Sequence, residues 1–173
     1  MPEVLVIGGG AAGLMAAVAA AENGGRVVLL ERNEKVGRKI MITGKGRCNV
    51  TNDCADLNAL ISSVPVNGRF LYSAFSRFMP ADTMNFFELR HVPLKTERGN
   101  RVFPESDRAS DIVDALFFAA KHAGVDIVNG RAKELIIEDG KVRGAILYSG
   151  ERIYSDRVIV ATGGKSYPRT GST

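Results

Sequence analysis

The sequence predicts an α/β fold: a central parallel sheet, helices on both of its faces, and a small antiparallel β-meander. Three observations predict it. Residues 4–31 read VLVIGGGAAGLMAAVAAAENGGRVVLLE, which is a short apolar run, a glycine-rich turn, an alanine-rich segment and a second apolar run. Two further apolar runs, at 125–128 and 157–161, follow segments of helical period or turn chemistry, as parallel strands joined by crossovers do. Between them, Asp139-Gly140 and Ser149-Gly150 separate three extended segments, and both dipeptides are hairpin signals.

The glycines of the first stretch each have a physical reason. Gly8 permits the sharp turn out of the first strand. Gly10 has no side chain, so a pyrophosphate can approach the backbone, and Gly13 lets the following helix pack closely on the sheet. The N–H groups at the start of that helix, at Ala11, Ala12 and Gly13, then face the phosphates with the positive end of the helix dipole. Glu31 ends the second strand, where a carboxylate accepts hydrogen bonds from a ribose diol. An acid there disfavours a 2′-phosphate and points to FAD or NAD rather than NADP. Arg32 follows it as a further candidate contact. The unit is thus Rossmann-like. The bland alternative is a glycine-rich turn that binds nothing.

The totals set bounds. A chain of 173 residues holds one sizeable core and about one domain. Hydrophobic residues at 45% and charged residues at 24% are ordinary for a globular protein. A formal net charge of +4 suits phosphate binding and falls short of an argument for nucleic acid. Two cysteines, Cys48 and Cys54, do not make a disulfide scaffold and match no common zinc spacing, so no metal site is expected. The N-terminus lacks the order of a signal peptide, and Glu22 and Asn23 make the alanine-rich run too short for a membrane span. A cytoplasmic protein with no membrane partner is the simplest expectation, and oligomeric state is left open.

In chain order, the first helix is expected from residue 10 or 11 to Glu22, stopped by Asn23-Gly24-Gly25, and strand two over 26–31. Residues 32–52 form a basic loop without helical or strand period, in which Arg38, Lys39, Lys45 and Arg47 alternate with Gly37, Gly44 and Gly46. Glycine lets a backbone approach a ligand and cations supply charge for phosphate, so this loop is expected to wrap a cofactor. The other reading is a solvated basic loop. Residues 57–78 read as two short helices divided at 64–68, and Pro80 opens a third to Arg90, with Phe86, Phe87 and Leu89 as core and His91 at its end. Residues 92–104 are extended, with a turn at Arg98-Gly99-Asn100. Arg101 and Arg108 are expected as ion-pair partners. Ser106 or Ser110 caps a helix whose apolar stripe is Ile112, Val113, Leu116, Phe117, Ala120 and Ala123. A buried strand at 125–128, a meander over 132–138, 141–148 and 151–154, and a last parallel strand at 157–161 complete the chain.

Gly37-Arg38-Lys39-Ile40 followed by Thr43-Gly44-Lys45-Gly46-Arg47-Cys48-Asn49-Val50-Thr51-Asn52 resembles the signature of a bacterial family of NAD(P)/FAD-dependent oxidoreductases, the BaiN-like flavoproteins, within the glutathione-reductase type of FAD protein. The stretches 101–106 (RVFPES) and 161–168 (ATGGKSYP) agree with it, and the resemblance covers essentially the whole chain. It implies an FAD/NAD(P)-binding domain over residues 1–173, the N-terminal part of a longer protein whose substrate domain and C-terminal return segment lie outside this chain. It further implies that Arg38, Lys39 and the loop of Gly44, Gly46, Arg47, Cys48 and Asn49 lie along the ribityl–pyrophosphate side. The backbone near Ala132 would contact adenine, and Thr162 and Gly163 would pack beneath the dinucleotide. Arg47 beside Cys48 would lower that thiol's pKa, although a structural or cofactor-proximal cysteine is the favoured reading. The implied activity is hydride transfer through flavin N5, from NAD(P)H or a substrate to an unidentified acceptor, acting on a small molecule. No catalytic residue can be named. The alternatives are a non-catalytic module that holds FAD or NAD, and a tRNA-modifying flavoprotein, against which the modest charge argues.

Overall fold

The computed structural model describes residues 1–164. The motif residues 165–168 therefore lie outside the described residues. In chain order the elements are β1 (Val4–Ile7), α1 (Ala11–Glu22), β2 (Val27–Glu31), a 3-10 segment (Ile40–Gly46), β3 (Thr51–Asn52), α2 (Leu57–Ser62), a second 3-10 turn (Gly68–Leu71), α3 (Tyr72–Phe75), α4 (Pro80–Glu88), β4 (Leu94–Glu97), β5 (Arg101–Pro104), α5 (Ala109–His122), β6 (Asp126–Asn129), β7 (Ala132–Glu138), β8 (Lys141–Leu147), β9 (Arg152–Tyr154) and β10 (Arg157–Val160). They divide into two compact units, residues 1–41 with 116–164 and residues 42–115.

The first unit holds a parallel sheet of order β10-β1-β2-β6. Its strands are continuous apolar runs because both faces of β1 and β2 are covered. Leu5, Ile7 and Leu30 pack with Ala145 and Leu147 of the β7-β8-β9 meander on one face. Val6 and Leu29, at the alternate positions, are fully buried, and α1 packs on β1 and β2. The meander turns as its dipeptides predict: Asp139 and Gly140 both have positive φ, 49° and 69°, the backbone of a tight hairpin. The strand expected at 125–128 is present one residue on, but Ile127 and Val128 are only half-buried, because β6 is an edge strand.

The second unit is built on an antiparallel sheet of order β3-β5-β4, with α2, α3 and α4. The β4–β5 turn has positive φ at Gly99 (78°) and Asn100 (57°), as its residue types require. The loop read as aperiodic is more ordered than expected. It contains 3-10 turns at Ile40–Gly46, and Thr51–Asn52 pairs with β5. Phe87 is buried, whereas Leu89, expected in the core, is 68% exposed, since α4 ends at Glu88 and Leu89 is its C-cap. His91 is exposed with φ 60°, a chain-reversing residue after the helix. Ser106 accepts from the Arg108 N–H just ahead of α5, whereas Ser110 lies inside the helix. Arg108 pairs with Asp111 at 3.4 Å, and Arg101 instead donates to the Arg98 carbonyl.

Candidate dinucleotide site

The chain leaves β1 through Gly8, whose φ is +110°. A Cβ on Gly8 would stand 2.5 Å from the Ala161 carbonyl oxygen and 3.2 Å from Thr162 Cα. The Ala161 N–H also donates to the Ile7 carbonyl (2.8 Å). The ends of β1 and β10 are thus held backbone against backbone, and Thr162 and Gly163 emerge there, exposed. The chain passes from β1 to β2 on one side of β1 and reaches β10 on the other, so this junction is a topological switch point, where open α/β sheets bind ligands. Gly13 is needed for a different close approach: its Cβ would strike the Gly8 carbonyl oxygen. Gly10, by contrast, faces open space: among the described residues, no atom beyond its chain neighbours lies within 4 Å of a Cβ built on it. It is the N-cap of α1, supplies no side-chain cap, and the first turn carries no acid. Ala11 and Ala12 are exposed at that end. An uncapped helix start without acids is a favourable place for an anion.

Glu31 is 8% exposed at the end of β2. Its Oε2 accepts from the Gly9 N–H at 2.7 Å. Its Oε1 accepts from the Asn33 N–H at 2.8 Å and from Asn33 Nδ2 at 2.6 Å. Arg38, expected beside a pyrophosphate, is exposed and donates from Nη1 to Asn33 Oδ1 at 3.0 Å. Arg32 and Lys39 are half-buried in the same unit. Ala132 opens β7 opposite Leu147, separated from the end of β6 by Gly130 and Arg131.

In the second unit the Gly44–Asn49 loop turns through successive left-handed residues, Gly44 (55°), Lys45 (59°), Gly46 (86°) and Cys48 (61°). A Cβ on Gly44 would stand 2.9 Å from Asn49 N and 3.1 Å from Phe103 Cε1, so that glycine serves packing within the unit, whereas Gly46 faces open space. Arg47 grips Glu97 with both terminal nitrogens (2.8 and 3.2 Å), reaches Asp107 at 3.1 Å and lies 4.1 Å over the Phe103 ring. Lys95 holds the other Asp107 oxygen at 2.7 Å. Hydrogen bonding to Arg47 holds the Glu97 carboxyl below its ordinary pKa, and Lys95, then Arg47, do the same for Asp107. The Arg47 charge is thus absorbed inside the unit. The expected lowering of the Cys48 pKa by Arg47 is absent: the residue is 6% exposed and burial pushes the thiol's pKa up, with a hydrogen bond to Thr43 opposing. Cys48 is a buried, free thiol. Asn49, in the amide orientation its neighbours require, donates to Val102 O (3.3 Å) and Thr51 O (3.1 Å). Among the described residues, no group of three or more His, Cys, Asp or Glu is placed to hold a metal ion, and no helix is long and apolar enough to cross a membrane.

Sequence reasoning passed over Gly9, Asn33 and Asn129. Gly9 is the glycine of the turn that touches the acid: a Cβ there would stand 3.0 Å from Glu31 Oε2 and 2.9 Å from Val36 Cγ1. Three consecutive glycines, where the motif needs only Gly8 and Gly10, were the available signal. Asn129 has no local signal, since its partners are 96 and 98 positions away.

A family model described as the HI0933-like protein Rossmann domain matches residues 2–173. The 3-dehydro-bile acid delta(4,6)-reductase of Clostridium scindens is 35% identical over 148 residues, covering 85% of this chain and 35% of that protein. The ribosomal RNA dihydrouridine synthase of Escherichia coli is 29% identical over 171 residues, covering 99% of this chain and 42% of that protein. The chain therefore spans about two-fifths or less of the length of these relatives. Among solved structures, a flavocytochrome c3 fumarate reductase in its open conformation superposes with a TM-score of 0.73 at 26% identity, over 94% of this chain and 34% of that one. A 3-ketosteroid-delta4-(5alpha)-dehydrogenase from Rhodococcus jostii RHA1 superposes at 0.74 and 17% identity, over 94% and 46%, and shares the fold.

Proposed function

This chain belongs to the HI0933-like Rossmann-domain family, and we propose that it is the FAD-binding, N-terminal part of a flavin-dependent oxidoreductase of the BaiN-like kind. The observation that carries the proposal is the open, uncapped, acid-free start of α1 at Gly10, beside the β1–β10 switch point and the buried carboxylate of Glu31. These residues fit a dinucleotide. The N–H groups of Ala11, Ala12 and Gly13 take the pyrophosphate, Gly10 leaves it room, and Glu31 accepts from the adenosine ribose. Arg32, Arg38 and Lys39 add positive charge on this side of the first unit. The backbone near Ala132 faces the adenine, and Thr162 and Gly163 line the floor. Bound FAD supplies hydride acceptance and delivery, chemistry that no side chain provides. The chain's own residues bind and orient it.

The names of the relatives support a substrate class for the complete protein. A delta(4,6)-reductase and a dihydrouridine synthase both saturate a carbon–carbon double bond conjugated to a carbonyl. The proposed reaction of the complete protein is reduction of such a bond, with NADH or NADPH as donor. A small conjugated ketone is the first reading. A uracil base within RNA is the second, favoured by the synthases of Escherichia coli and Haemophilus influenzae, and these relatives remove the ground for setting nucleic acid aside on charge alone. The full-length protein, reconstituted with FAD and reduced anaerobically, tests this. Bleaching by NADH or NADPH and recovery of the flavin colour on adding a conjugated ketone supports the first reading, and recovery only with RNA supports the second. Failure of every donor to bleach the flavin leaves a non-catalytic FAD module instead.

A further inference from the structure

Glu31 is braced more heavily than a ribose contact requires. A carboxylate offers about four acceptor positions. Asn33 fills two on Oε1, with its backbone N–H and its Nδ2, and Gly9 fills one on Oε2. Asn33 is itself held from two directions. Arg38 Nη1 donates to its side-chain oxygen at 3.0 Å, which sets the amide so that its NH2 faces Glu31. Asn129 Nδ2 donates to its carbonyl at 2.8 Å and to the Glu31 carbonyl at 3.2 Å. Asn129 ends β6 directly opposite Glu31 in the parallel register, so the neighbouring strand end ties down the turn that follows β2.

We infer that Asn33 is a positioning residue for Glu31: it saturates Oε1 and turns the last acceptor position, on Oε2 beside the glycine turn, toward one ribose hydroxyl of the dinucleotide, with Asn129 as the strut that holds Asn33. The inference rests on the dinucleotide reading above. It replaces a grip on the whole diol by a single directed hydrogen bond. The competing account is that Asn33 merely closes the turn after β2. The two differ in coupling: a residue that acts through Glu31 loses its effect when Glu31 is gone, and a turn-former does not.

The test uses the full-length protein as wild type, N33A, N33D, N129A, E31A and the N33A/E31A double variant. FAD dissociation constants are measured by titration of flavin fluorescence, alongside thermal midpoints without FAD. N33A weakens FAD binding by about 10-fold, the scale of one hydrogen bond to a charged group. N33D weakens it further, since it sets a second carboxylate against Glu31, and N129A weakens it less than N33A. In the E31A background, N33A changes the dissociation constant by less than about 3-fold. Equal losses from N33A with and without E31A, or no loss from N33A at all, overturn the inference and leave the dinucleotide site standing. A wild type that binds no FAD overturns both.

Discussion

The glycine turn that follows β1 and the glycine-and-cation loop before β3 share a composition, yet their residues answer to different demands. In the turn, Gly8 and Gly13 exist because backbone packs on backbone, and Gly10 alone is left open. In the loop, Gly44 packs on Phe103 and Asn49, and Arg47 is consumed by Glu97, Asp107 and the Phe103 ring. Glycine and positive charge in one stretch also serve packing and ion pairing inside a unit, as Gly44 and Arg47 do. What distinguishes the turn is a helix start with no side-chain cap and no acid and, among the described residues, open space at Gly10.

The largest effect that sharpens this contrast is expected at Gly13. G13A drives a methyl group against the Gly8 carbonyl oxygen, a backbone atom that cannot swing aside. It should cost about 3 kcal/mol or more, at the upper end for overpacking, measured by denaturant unfolding. A cost below about 1 kcal/mol would mean that the strand–helix contact is looser than described. Next comes E31A, which should weaken FAD binding by about 1–3 kcal/mol, the range for a charged hydrogen-bond partner, read by equilibrium titration. The smallest effect concerns the loop. Glu97 and Asp107 have folded-state pKa values below their ordinary ones. Their contribution is therefore present above the ordinary carboxylate range and is lost as pH falls through the depressed values, below about pH 4. Unfolding midpoints compared between neutral pH and pH 3 should fall less for E97Q than for the wild type. An identical fall would show that the Arg47 cluster adds nothing to stability.

The first unit was largely legible because its signals are local. The strand, the glycine turn, the small-residue helix and Glu31 follow one another within residues 4–31, and Asp139-Gly140 encodes its own left-handed turn. The second unit was less so. A two-residue strand such as Thr51–Asn52 is too short to show a period, and its pairing is decided by β5, far along the chain. The partners of Arg47 lie 50 and 60 positions away, so a cation that reads as free in sequence is neutralised in the fold. Leu89 has the residue type of a core position, but α4 stops one residue before it. Asn33 and Asn129 are polar residues at strand ends, a common type at such places, and only the parallel register that sets Asn129 opposite Glu31 gives them a shared role.

The most direct test of the dinucleotide site is the visible absorption spectrum of the full-length protein beside its G10V variant, each purified and then incubated with FAD. Gly10 has φ −82° and open space around it, so the fold tolerates the valine while the pyrophosphate does not. The account predicts flavin absorption retained by the wild type after removal of free FAD, none retained by G10V, and equal unfolding midpoints for the two without FAD. A G10V protein that retains FAD as fully as the wild type would contradict the placement of the cofactor at this helix.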